Sequence, residues 1–179
     1  DEIADYSNNY SANGTTVKSN SIFFYGASLR ASGAQSSDVM TKSDSYKLTS
    51  TLTTDRTSTT YYDTHLGKGD EIADYSNNYS ANGTTVKSNS IFFYGASLRA
   101  SSAVSTDVMT KSDSFRLTST ATTDRTSSTY YDTHLGKGDE IADYSNNYSA
   151  NGTTVKSNSI FFYGASLRAS SAVSTDVMT

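Results

Sequence analysis

The chain is 179 residues long, carries a formal net charge of −4, and contains no cysteine, proline or tryptophan. The missing cysteine excludes disulfide bridges, thiolate metal sites and a cysteine nucleophile. Six Lys/Arg stand against seven Asp/Glu over 1–69, which leaves neither a basic stripe for nucleic acid nor a polybasic cluster for an anionic membrane. The longest apolar run, residues 22–27, is too short for a membrane-spanning helix.

The segment beginning DEIADYSNNY at Asp1 restarts at Asp70 and again at Asp139, so the unit of repetition is the stretch 1–69. Segments 1–69 and 70–138 differ at seven positions, and 139–179 reproduces 70–110 without change. The expected organisation is β repeat 1 at 1–69, β repeat 2 at 70–138 and a partial β repeat 3 at 139–179, equivalent to 1–41 of the unit. Near-identical tandem copies imply one shared fold. A chain that starts and stops inside such an array reads as a window cut from a longer one. Leu52 gives way to Ala121 in the second copy, which would leave a hole at a tight core site, so this position is expected at the periphery. Tyr46 gives way to Phe115, so its hydroxyl is expected to be dispensable.

Along the unit, residues 6–12 and 15–18 flank Asn13-Gly14, a dipeptide favoured in tight turns, and predict a hairpin. Residues 22–31 alternate: Phe23, Tyr25, Ala27, Leu29 and Ala31 share one face, with Ile22, Phe24, Gly26, Ser28 and Arg30 opposite, which predicts a long strand. Dense Ser and Thr disfavour a helix over 27–40. Residues 36–45 read as a connection. Residues 46–53 alternate again, and residues 57–65, rich in Thr and Tyr, predict a further strand. Gly67-Lys68-Gly69 forms the junction to the next copy. Five or six short strands per unit imply an all-β fold of tandem small β-sandwiches, or barrel-like units, one to each copy of 1–69.

Such a unit has a thin core. Across 1–69 one position in three is Ser or Thr, and only ten are Leu, Ile, Val or Phe. Domains near this size bury only about 60% of the surface their unfolded chains expose. Strands from a neighbouring repeat or another chain are therefore expected to complete the fold. The aromatic residues Tyr6, Tyr10, Phe23, Phe24, Tyr25, Tyr46, Tyr61 and Tyr62, with their copies, are expected to carry packing and assembly, because each buries a large area. Without proline the strand edges stay open to pairing.

Catalytic and metal chemistry find little support. Each full unit holds one histidine, His65 or His134, in the run YYDTHLGKGDE. One imidazole with scattered carboxylates does not make a transition-metal site, so an exposed strand-end histidine is expected. Asp1, Glu2 and Asp5, with Asn8 and Asn9, offer oxygen ligands of the kind calcium takes, but their spacing matches no EF-hand loop. No cofactor is expected; calcium at this junction is the one alternative. Nucleophile-elbow, Walker and dinucleotide fingerprints are absent, and the chain is expected not to be an enzyme. The sequons at Asn9 and Asn13, repeated at Asn78, Asn82, Asn147 and Asn151, are candidate N-glycan acceptors.

Uniform, cysteine-free β repeats rich in Ser, Thr and Tyr resemble microbial surface or extracellular repeat proteins. The resemblance implies a structural subunit of an extracellular filament or fibre, built with copies of itself and without nucleic acid or membrane insertion. The alternative is the stalk or ligand-binding array of a cell-surface adhesin, whose Tyr- and Asn-rich loops would contact glycan or protein.

Overall fold

The computed structural model of the protein describes residues 3–12 and 14–179. It is all-β. Ten strands form an open antiparallel sheet in which sheet order follows sequence order. They are β1 (Tyr6–Tyr10), β2 (Val17–Tyr25), β3 (Met40–Lys47), β4 (Arg56–Asp63), β5 (Ile72–Tyr79), β6 (Val86–Tyr94), β7 (Met109–Arg116), β8 (Arg125–Asp132), β9 (Ile141–Tyr148) and β10 (Val155–Ile160). Helix among the described residues is limited to three-residue 3-10 turns, and none is long and apolar enough to cross a membrane. By packing, the chain divides into two units, Asp1–Asn89 and Ser90–Thr179. The division falls inside β6 rather than at the sequence junction before Asp70.

Within the first unit, register explains which side chains meet. Ile22 of β2 lies opposite Tyr6 of β1 and Asp44 of β3, and Asp44 lies opposite Thr59 of β4. Thr59 in turn lies opposite Asn77 of β5, and Tyr61 opposite Tyr75. One face therefore carries Ile22, Asp44, Thr59, Tyr61 and Tyr75. The other carries small hydroxyls, since successive strand residues point to opposite sides. Its cross-strand bonds include Ser21 with Ser45 at 3.2 Å and Thr60 Oγ1 donating to Ser76 Oγ at 3.2 Å. Serine and threonine thus satisfy one another across the sheet and form strands despite the low aliphatic content.

Among the described residues, buried apolar side chains include Ile22 and Ile91 within β2 and β6 and a cluster in the loop after β10. In the second unit, Tyr163, Ala169 and Ala172 are buried together, flanked by Ile141 and Phe161. Tyr163 Oη donates to Ala142 O at 2.7 Å. In the first unit the matching Tyr25 is buried and its Oη donates to Ala4 O at 2.6 Å, while Arg30 clamps Asp5 through two nitrogens.

Several expectations need correction. The sheet is open, so the sandwich or barrel closure inferred from strand count is replaced by a meander. Among the described residues, 1–69 contains four strands, not five or six. The long strand expected over 22–31 stops at Tyr25, because Gly26 (φ +48°) and Ser28 (φ +67°) turn the chain back. A Cβ at Gly26 would lie 3.3 Å from the Asp38 carboxyl carbon, so the turn is tight as well as left-handed. Tyr25 and Leu29 then bridge through reciprocal backbone bonds of 2.8 Å. The expected connection at 36–45 contains most of β3. The strand expected at 46–53 is largely turn, since Leu48 has φ +52° and Thr53–Asp55 is a 3-10 turn. The hairpin expected of 6–12 with 15–18 forms as β1 paired with β2, joined by six residues rather than two.

Candidate functional site

The buried polar centre of each unit is a carboxylate. Asp44 is only 3% exposed. Its Oδ1 accepts from Thr59 Oγ1 at 2.6 Å, and its Oδ2 lies 3.3 Å from Lys42 Nζ and 3.8 Å from an Arg56 nitrogen. Tyr79 Oη donates to Thr59 Oγ1 at 3.1 Å, which completes a chain of hydroxyls leading to the acid. The cations are spread over aromatic rings: Lys42 Nζ lies 4.1 Å from the Phe24 centroid, and the Arg56 guanidinium 4.2 Å from that of Tyr79. The second unit repeats this around Asp113, with Ser128, Lys111, Arg125 and Tyr148. Thr59 and Ser128 differ by a methyl but keep the hydroxyl that a buried carboxylate requires. The network joins side chains of β3, β4 and β5 across the sheet.

Next to it runs the aromatic stripe. Tyr61 stacks on Tyr75 with centroids 4.6 Å apart, and Tyr130 on Tyr144 at the same distance. Burial pushes the phenols of Tyr61, Tyr75 and Tyr130 above their ordinary range. Of the other expected packing aromatics, Phe24, Tyr25 and Tyr46 are engaged as described or buried, and Tyr62 Oη bonds Ser43 Oγ at 3.2 Å. Tyr46 Oη reaches Asp44 Oδ2 only at 3.5 Å, and Phe115 is buried at the same site without a hydroxyl. Phe23 lines a cleft of about 360 Å³ with Ile3, Ala4 and Met40. The charged groups at that cleft are held by backbone: Glu71 accepts from Met40 N and Gly69 N, and Lys68 donates to Ser36 O. Tyr6 and Tyr10 are different. They are 58% and 53% exposed, on β1. Leu52, the residue that becomes Ala121, is 66% exposed, at the periphery as its substitution implies.

His134 sits at the end of β8. Its Nδ1 pairs with Asp132 Oδ1 and its Nε2 lies 2.9 Å from Ala172 O. The Asp132 hydrogen bond raises the imidazole above its usual value and lowers the carboxyl below its own. In the first unit His65 Nδ1 pairs with Asp63 Oδ1. Asp5 is lowered by its hydrogen bond from Arg30. No group of three or more metal-binding side chains comes together among the described residues; Asp1 and Glu2 of the calcium alternative lie outside them.

The sequon asparagines fall into two settings. Asn9, Asn78 and Asn147 lie within strands and donate to Ser19, Ser88 and Ser157 at 3.2–3.3 Å. Asn82 and Asn151 lie in exposed turns, where each Oδ1 accepts two backbone amides two and three residues ahead. Asn13 lies outside the described residues. The buried acid network is what sequence reasoning missed. Its one signal is the alternation Lys42, Asp44, Tyr46, with opposite charges two residues apart, inside a stretch polar enough to read as a loop. No known protein family, curated protein or solved structure matches this chain.

Proposed function

We propose that the chain is a structural element of an extracellular or cell-surface filament, in which successive β repeats join through open strand edges and aromatic side chains. On this reading 1–69, 70–138 and the partial 139–179 are successive units of one array, each completed by strands of its neighbours. The observation that carries it is the state of the sheet edges. All six residues of β10 are exposed, and Ile160 is 46% exposed where its copies Ile22 and Ile91 are 4%. Edge strands of soluble monomers are ordinarily blunted by proline, inward charges or a covering loop. Here β10 has no proline and a single lysine, and β1 has neither.

Negative-stain microscopy and light scattering of the purified chain test this. Ordered polymers whose mass grows with concentration are the expected result. A monodisperse monomer at high concentration overturns it and favours the adhesin stalk.

A further inference from the structure

β5 and β9 copy the sequence of β1, and each pairs with the strand before it, β4 or β8. β1 pairs with β2 alone among the described strands. The difference shows at each contact. Tyr75 stacks on Tyr61, whereas Tyr6, its copy, is 58% exposed. Tyr79 lies under Arg56, whereas Tyr10 is 53% exposed. β5 and β9 run eight residues, beginning at Ile72 and Ile141, whereas β1 runs five and begins at Tyr6.

The glycines are the most specific sign. Gly83 and Gly152 have φ of +66° and +67°, and a Cβ on either would fall 1.8 Å from a carbonyl oxygen, of Thr53 or Thr122. Arg56 Nε and Arg125 Nε donate to the carbonyls of these same glycines at 3.3 Å. Gly14 has the same sequence context and φ +69°, with nothing within 4 Å of its Cβ position. A cleft of about 370 Å³ opens on this side of the sheet along Tyr6, Asn8 and Ile22. The same left-handed turn is therefore packed at Gly83 and Gly152 and open at Gly14.

From this we infer that the β1 edge, with Ile3 before it and Gly14 beyond it, is a docking site for one strand of defined sequence: a β4-type segment equivalent to residues 53–66, supplied by another copy of the repeat. The register follows from β4 on β5: Tyr61 of the incoming segment opposite Tyr6, Thr59 opposite Asn8, Asp63 opposite Ile3. Its Arg56 covers Tyr10 and its Thr53 carbonyl seats on Gly14. Backbone pairing supplies affinity and the tyrosine, arginine and glycine contacts supply selectivity, as in strand addition generally. The inference rests on the reading of the chain as a repeat completed by its neighbours, and names which edge takes which strand.

The test is fluorescence anisotropy with a dye-labelled peptide of residues 53–66 added to the whole chain, and amide shifts to locate it. Saturable binding with shifts in β1 and the 11–16 turn is expected, and none with a scrambled peptide. Gly14→Asn tolerates the left-handed backbone but places a side chain where Thr53 O must sit, and is expected to weaken binding at least tenfold. Tyr6→Ala, a second variant on exposed surface, is expected to weaken it several-fold. No binding, shifts confined to β10, or binding by both variants equal to that of the parent chain overturns the site. Polymers that form without peptide binding remove this site and keep the filament; binding by a chain that stays monomeric keeps the site and removes the filament.

Discussion

Two glycines with one sequence context and one backbone conformation allow packing to be separated from strain inside a single molecule. Gly83→Ala and Gly14→Ala each place alanine in the left-handed region, at a shared cost of about 1–2 kcal/mol. At Gly14 nothing more is lost. At Gly83 the new Cβ lies 1.8 Å from Thr53 O and 2.8 Å from the Thr54 carbonyl carbon, against an ordinary carbon–oxygen approach of about 3.3 Å. The 53–55 turn must therefore retreat by roughly 1.5 Å to restore that approach. The retreat stretches the Arg56 Nε to Gly83 O bond, at 3.3 Å already long, whose charged donor makes it worth about 1.5–3 kcal/mol. The expected totals are about 1–2 kcal/mol for Gly14→Ala and about 2.5–5 kcal/mol for Gly83→Ala. Urea unfolding of the two variants beside the parent chain measures both. Equal losses would refute the claim that the turn is packed by the neighbouring hairpin, and with it the basis for treating Gly14 as an open site.

The remaining predictions concern the acid, the stack and the histidine. Asp44→Ala leaves Lys42, Arg56 and the Thr59 hydroxyl facing a buried gap; because the cations are about one-fifth exposed, the expected loss is about 2–3 kcal/mol, below the range for a fully buried pair, read by urea unfolding. Tyr75→Ala removes a stacked ring and is expected to cost about 2–4 kcal/mol, whereas Tyr6→Ala stays within about 0.5 kcal/mol; a similar loss for both would mean the stack contributes nothing. His134 is raised above its ordinary pKa by Asp132, so its contribution to stability is complete below pH about 6.5 and is lost as pH rises through the raised value. Proton NMR titration of the ring is expected to return to the ordinary value in Asp132→Asn. Asp132 itself is lowered, so its share persists down to pH about 4 and is lost as pH falls through the depressed value.

The strand class is legible in the sequence because its signals are local. The Thr- and Tyr-rich stretch at 57–65 matches β4 closely, and the hairpin expected of residues 6–12 and 15–18 forms as β1 and β2. Alternation fails where the backbone turns left-handed: nothing in Ser28 or Leu48 announces a positive φ, so the pattern alone carries the strand through both. β3 is hidden for a different reason. Its inward positions, Lys42 and Asp44, are polar, and hydrophobic periodicity cannot detect a face held by an ion pair. The sandwich follows from the habit of small β domains to bury one face of each sheet. In this chain tyrosine stacks and hydroxyl pairs cover faces that aliphatic residues would otherwise need a second sheet to bury. Composition identifies the aromatic residues as packing groups, but their split between covered and uncovered copies emerges only from register.

Sheet order that follows sequence order also sets how the chain comes to fold. Every strand finds its partner one connection away, so no pairing waits for a distant part of the chain and the entropy of closing long loops is avoided. Any hairpin can serve as the nucleus, and each later strand adds to an edge that already exists. On a ribosome this permits growth in step with synthesis, each new hairpin closing the edge left by the last. On the proposed reading of the copies as an array, stability is a sum of similar increments, so the melting temperature is expected to climb with the first few copies and then level off, and loss of one copy to shorten the array without unfolding the rest.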